Sequence, residues 1–205
     1  MTSYLTLLTS LDRWFVDGVA AAGAGVVQCR SGCTACCHGP FDISAADARL
    51  VAEAVAALPE APRRGVVERA AAQLAAGTQL DPRWQAPWRP GDLGEEGFDA
   101  LSDAQAHLPC PALDPESGGC LIHASRPATC RLAGLSLVMP DGETLDNICP
   151  IQDRFPGYAA LAATPFDLMR FELAAAECDL AAMEAGWHST TIAGAVMQRS
   201  GAIPG

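Results

Sequence analysis

The chain has 205 residues, half of them hydrophobic, which suits a single domain over 1–205 with a core of its own. Its formal net charge is -11, and all thirteen basic residues are arginine. Such an acidic surface repels phosphate backbones and anionic lipid, so neither nucleic acid nor a membrane is expected as a partner.

The first predicted helix runs from Ser3 to Ala22, with Tyr4, Leu7, Leu8, Leu11 and Phe15 on one face. Asp12, Arg13 and Asp17 interrupt it, so the segment reads as neither a leader nor a membrane span. A reducing cytoplasm is the expected compartment, where nine cysteines serve metals rather than disulfides. A second helix is expected from Ser44, where Ser-x-x-Asp47 resembles a capping box, to just before Pro59. A third is expected from Pro62, as a first helical residue, to Gly77 as its stop. Residues 78–97 are rich in proline and glycine and read as a loop pinned by Trp84 and Trp88.

Asp141-Gly142 between Leu135–Met139 and Glu143–Ile148 signals a β-hairpin. Packing helices are expected over 156–188, the strongest starting at Thr164-Pro165 and ending near Gly186. Its stripe of Phe166, Met169, Leu173, Ala176, Leu180 and Met183 is matched by a second of Leu168, Phe171, Ala175, Cys178 and Ala182. A helix apolar on two faces is expected at the centre of a fold. The expected class is mostly α with a small β-hairpin, a helical bundle around a cysteine-ligated metal core at 29–150.

That core rests on eight cysteines. Cys29, Cys33, Cys36 and Cys37 fall within nine residues; Cys110, Cys120, Cys130 and Cys149 follow after a gap of 72. Packing does not require such density, whereas short Cys-x2-Cys and Cys-x3-Cys spacings let a loop wrap a metal with thiolates. Thiolates select zinc, copper(I) or Fe–S clusters over hard cations. Eight exceed the four that one tetrahedral zinc or one [4Fe–4S] cluster needs. Cys36 and Cys37 are adjacent, and neighbouring side chains of an extended segment point apart, so one of them serves a different atom. Four thiolates around such a centre leave a charge near -2. Arg30, His38, His123, Arg126 and Arg131, with Arg154, lie close in sequence to these cysteines and are candidates to donate hydrogen bonds to sulfur. Cys178, on a helix stripe, reads as a buried core thiol.

Cys29 to Cys37, with Gly119-Cys120-Leu-Ile-His123-x2-Arg126-Pro127-x2-Cys130-Arg131, Cys110 and Cys149-Pro150, resembles the CxxCxxCC family of zinc- or iron-chelating domains. The first gap is three residues rather than two, and His123 stands where tyrosine is common. The resemblance implies metal chelation by the cysteines. More distantly the set is similar to that of flagellin lysine N-methylases, in which it accompanies an Fe–S cluster and methyl transfer. No glycine-rich dinucleotide fingerprint accompanies it here.

The expected cofactor is an Fe–S cluster, [4Fe–4S] first, with one or two zinc ions as the alternative. Metal ions are the expected partners, together with a small-molecule or protein substrate for redox or group-transfer chemistry. The competing expectation is a protein without catalysis, which handles zinc or iron or uses structural zinc in an interaction module. His107 and His188 are isolated and no serine elbow is present, so hydrolytic chemistry finds no support.

Overall fold

The computed structural model describes residues 2–30, 32–146 and 149–199. The chain forms two compact units, one from 1–36 and 128–178, the other from 37–127 and 179–205. Helices dominate both, as expected, and the strands are two residues each.

The first unit is built on α1 (Thr2–Ala22) and the short α5 (Ala128–Leu132). Tyr4, Leu8, Leu11 and Trp14 form the buried face of α1, a set rotated slightly from the expected one because Trp14 rather than Phe15 turns inward. Trp14 stacks obliquely on Phe166 at 5.6 Å, and Phe166 lies 6.2 Å from Phe171.

The expected hairpin is present but short. β2 (Leu137–Val138) pairs antiparallel with β3 (Thr144–Leu145), and its ladder does not extend to the bounds the pattern suggested. The Asp141 carboxylate accepts the Glu143 amide at 3.0 Å, and Gly142 adopts φ 90. Ile148, at the end of the expected second strand, lies outside the described residues.

Thr164-Pro165 does not open a helix. It forms β4 (Thr164–Pro165), parallel to β2, with Thr164 donating to Ser136 O at 2.8 Å. The helix α7 (Leu168–Glu184) starts later because Asp167 is its cap, accepting the Arg170 amide at 3.0 Å. Only one of its stripes is buried. Leu168, Phe171 and Ala182 are inside, whereas Met169 (60% exposed), Leu173 (68%), Leu180 (61%) and Met183 (56%) face out. The helix is therefore peripheral rather than central, because one face suffices to pack it. Cys178 on the buried stripe is half-buried rather than enclosed.

The second unit holds α2 (Ala45–Ala56), α3 (Glu60–Leu80), α4 (Glu95–Ala104) and α8 (Ile192–Arg199). Ser44 caps α2 as expected, accepting the Asp47 amide at 3.2 Å. The third helix begins two residues before Pro62, which sits in the first turn where its missing N–H costs nothing. It also runs through Gly77. That glycine is a contact rather than a stop, since a Cβ there would lie 2.7 Å from Trp84 Cδ1. Trp84 is 2% exposed and packs 5.7 Å from Phe98 of α4, a helix that the glycines at 91, 94 and 97 hide in the sequence. Trp88 is half-buried, and its carbonyl accepts from Thr190 Oγ1 at 2.8 Å.

The centre of this unit is α8, for which the sequence shows no amphipathic pattern. Ile192 through Met197 are buried, and the preceding β5 (Thr190–Thr191) pairs antiparallel with β1 (Asp42–Ile43). A Cβ at Gly194 would collide with Thr190 Oγ1. Gly194→Ala is expected to break the Thr190–Trp88 hydrogen bond and cost about 1–3 kcal/mol of overpacking. Thermal denaturation should show a melting point several degrees lower; an unchanged one would mean that β5 yields without cost.

Candidate metal centre

In the first unit the chain leaves α1 and reaches Cys29, which is half-buried. Its sulfur lies 3.9 Å from the Tyr158 hydroxyl, and that hydroxyl donates to the Gly134 carbonyl. Tyr158 is itself buried, at the end of the turn that starts with Pro156. Gly134 follows α5 at φ 108, and a Cβ there would stand 2.7 Å from Cys29 Sγ and 3.2 Å from Phe15 Cε2. The loop continues with a turn in which the Cys33 amide donates to Arg30 O at 2.9 Å, and Gly32 takes φ 82. Cys36 is exposed; Cys33, Cys130 and Cys149 are half-buried.

The Cys29 thiol is pushed up to about 11 from 9.0, first by burial. The Tyr158 hydrogen bond opposes the rise, and the neighbouring thiols of Cys149, Cys33 and Cys36 add to it. Cys29 thus senses the other three sulfurs. Cys130 belongs to the same unit, on α5 beside Arg131. Arg131 is not a solvated surface charge: it is buried and paired with the Asp12 carboxylate of α1. Arg30 and Arg154 are exposed.

In the second unit, Cys37, Cys110 and Cys120 are half-buried. Residues 37–39 lie antiparallel to 108–110, with Cys110 N donating to Cys37 O and Gly39 N to Leu108 O, both at 2.8 Å. His38 pairs with Pro109 in that bridge and its side chain is exposed. The Cys110 thiol is also pushed up to about 11, chiefly by burial and then by the Cys120 charge. Backbone N–H groups of Ala112 and Leu113, and the Arg69 charge, oppose that rise. Burial likewise raises Cys120, against the Ile122 N–H and the Arg126 charge. Arg126 Nη1 donates to the His123 ring at 2.9 Å, so that imidazole and guanidinium stand together on the exposed rim.

Among the described residues, no three His, Cys, Asp or Glu side chains already stand at ligating distance of a common point. The chemistry of the donor set nonetheless fits a thiophilic metal. Within the first unit Cys149, Cys33 and Cys36 act on the Cys29 thiol, and within the second Cys120 acts on Cys110. Tyr158, Gly134, Asp12 and Arg69 were not legible as part of this surrounding, because each reaches it from a separate stretch of chain. No periodicity or spacing marks them.

Two raised thiols give the pH dependence its sign. Their folded values lie above the ordinary 9.0, so the metal-free fold keeps their contribution below pH 9 and loses it as pH climbs through about 11. A metal ion must displace the same protons. Its apparent affinity is expected to rise about tenfold per pH unit for each proton released, without levelling at pH 9. Chelator competition at pH 7, 8 and 9 measures this, and a flat profile would contradict it.

Among the described residues, no helix is long and apolar enough to cross a membrane. Residues 28–150, more than half of the chain, match the model of the CxxCxxCC family, described as "Putative zinc- or iron-chelating domain". No curated protein and no solved structure matches the chain.

Proposed function

The chain belongs to the CxxCxxCC family of zinc- or iron-chelating domains, and from that premise we propose that it is a cytoplasmic Fe–S protein serving redox or group-transfer chemistry. The observation that supports this reading is that the half-buried Cys29 feels the charges of Cys149, Cys33 and Cys36. Four thiolates are the complement of one [4Fe–4S] cluster, which when bound would supply a one-electron store.

The chain's own residues then have distinct tasks. Tyr158, anchored by donating its hydroxyl to Gly134 O, stands beside the Cys29 sulfur at 3.9 Å and closes that side of the site. Burial of Cys29 limits water at that sulfur, while exposed Cys36 is the side by which a partner or small molecule approaches. Arg131, buried and fixed by Asp12, ties α5, which carries Cys130, to α1.

A second reading, a zinc- or iron-handling or structural-zinc protein without catalysis, draws on the same exposed Cys36, which would exchange metal readily. Anaerobic purification with visible spectroscopy, iron and acid-labile sulfide analysis separates the two. A brown protein that bleaches on reduction is expected. Colourless protein with tightly held zinc and no sulfide would favour the second reading.

A further inference from the structure

The outward stripe of α7 leaves four large side chains in solvent. Met169, Leu173, Leu180 and Met183 are 60%, 68%, 61% and 56% exposed, and Ala176 between them is exposed too. Their steps of four and three residues are those of the a and d positions of a heptad pattern. On one continuous helix they line up as a seam about 21 Å long. Helix formation does not require this seam. Glutamate and arginine form helix about as readily as leucine and methionine, and α7 is already rich in alanine. Single exposed leucines are ordinary, but four large apolar side chains in register form a contiguous patch, which marks an interaction site.

The edges of the seam decide what fits it. Glu172 flanks it on one side and Glu177 and Glu184 on the other, all exposed, and Arg170 is the only basic residue of the helix. Among the described residues none of the three carboxylates enters an ion pair. Asp179 is already engaged, accepting the Ala46 amide at 2.8 Å. A second copy would set Glu177 against Glu177 when antiparallel and Glu172 against Glu177 when parallel, in a chain whose net charge is already -11. Anionic lipid would meet the same carboxylates. A helix with its own apolar seam and with arginine or lysine along its edges matches the leucines and the carboxylates together. Methionine at both ends of the seam suits such an occupant, because its flexible side chain repacks around what it meets.

We propose that the outer face of α7 is a docking site for a basic amphipathic helix of a partner protein. That helix lays its apolar residues along Leu173 and Leu180 and sets arginine or lysine against Glu172, Glu177 and Glu184. The proposal goes beyond the metal chemistry and does not rest on it, since none of the eight clustered cysteines lies on α7. Leu168, Phe171 and Ala182, on the other stripe, keep the helix packed in the fold, so docking leaves that packing in place. Affinity falls with added salt because the matching charges are exposed.

The probe is a dye-labelled synthetic peptide of about three heptads, with leucine at a and d and arginine at e and g, whose like charges keep it from pairing with itself. Its twin carries glutamate at e and g. Fluorescence anisotropy with the full chain, purified anaerobically, is expected to show salt-sensitive binding of the arginine peptide and at least about tenfold weaker binding of the glutamate one. Leu173→Ser with Leu180→Ser, at exposed positions and checked for fold by circular dichroism, should weaken the arginine peptide at least about tenfold. Glu177→Arg with Glu184→Arg should abolish the preference between the peptides. Arginine-peptide binding that is absent, or that is unchanged in the leucine variant, would overturn the proposal, as would a preference that survives the charge reversal. So would a dimer of the unmodified chain, or its sedimentation with phosphatidylcholine–phosphatidylserine vesicles, that the leucine variant loses. A second copy or a membrane would then be the occupant.

Discussion

Gly134→Ala is expected to cut metal affinity about 10–100-fold, although Gly134 ligates nothing. The residue sits at φ 108, where an L side chain is strained by about 1–3 kcal/mol. The added methyl would lie 2.7 Å from Cys29 Sγ and 3.2 Å from Phe15 Cε2, so Cys29 or the segment after α5 has to move. Either movement also disturbs the Tyr158 hydroxyl, which donates to the Gly134 carbonyl. Gly142→Ala is the control. It has a comparable φ of 90 with no atom within 4 Å, so it should cost backbone strain and leave metal binding alone. Chelator competition on both variants decides the matter, and equal affinities would disconnect Gly134 from the metal centre.

Asp12→Ala is expected to destabilise the first unit by about 2–4 kcal/mol, below the upper end for a buried pair because Asp12 is itself partly solvated. Arg131 is 3% exposed on its side chain and Asp12 37%, so the cation is the member that has lost its water. Removing the carboxylate takes the Asp12 partner away from that buried cation. Asp12→Leu combined with Arg131→Met should be less damaging than Asp12→Ala alone, because the buried cation goes together with its Asp12 partner. Urea denaturation of the three proteins, all metal-free, reads the difference. If the double variant is the least stable, Arg131 contributes through packing rather than through the ion pair.

Where the sequence reading succeeded, the cause is local. Ser44 caps α2 because its hydroxyl reaches the amide of Asp47, three residues on. Asp141-Gly142 turns the chain because glycine tolerates a positive φ. The reading went astray where a distant residue decided. Gly77 resembles a helix stop until Trp84 is seen lying against it. Thr164-Pro165 resembles a helix start until its pairing with β2 is seen. The helix α8 escaped notice because a segment buried all round has no polar face to set a period.

The metal centre divides in the same way. Amino-acid order alone determined that this is a cysteine-rich metal chelator, since four thiols within nine residues and the Arg-Pro-x2-Cys-Arg segment are local patterns that packing does not require. Only the tertiary structure decided which stretches meet: Cys149 acts on the Cys29 thiol, and the backbone at Cys37 pairs with that at Cys110 beside a single antiparallel bridge. The physical reason is that ligand spacing is written along the chain, whereas grouping depends on backbone hydrogen bonds between stretches some seventy or more residues apart. No local rule sets those.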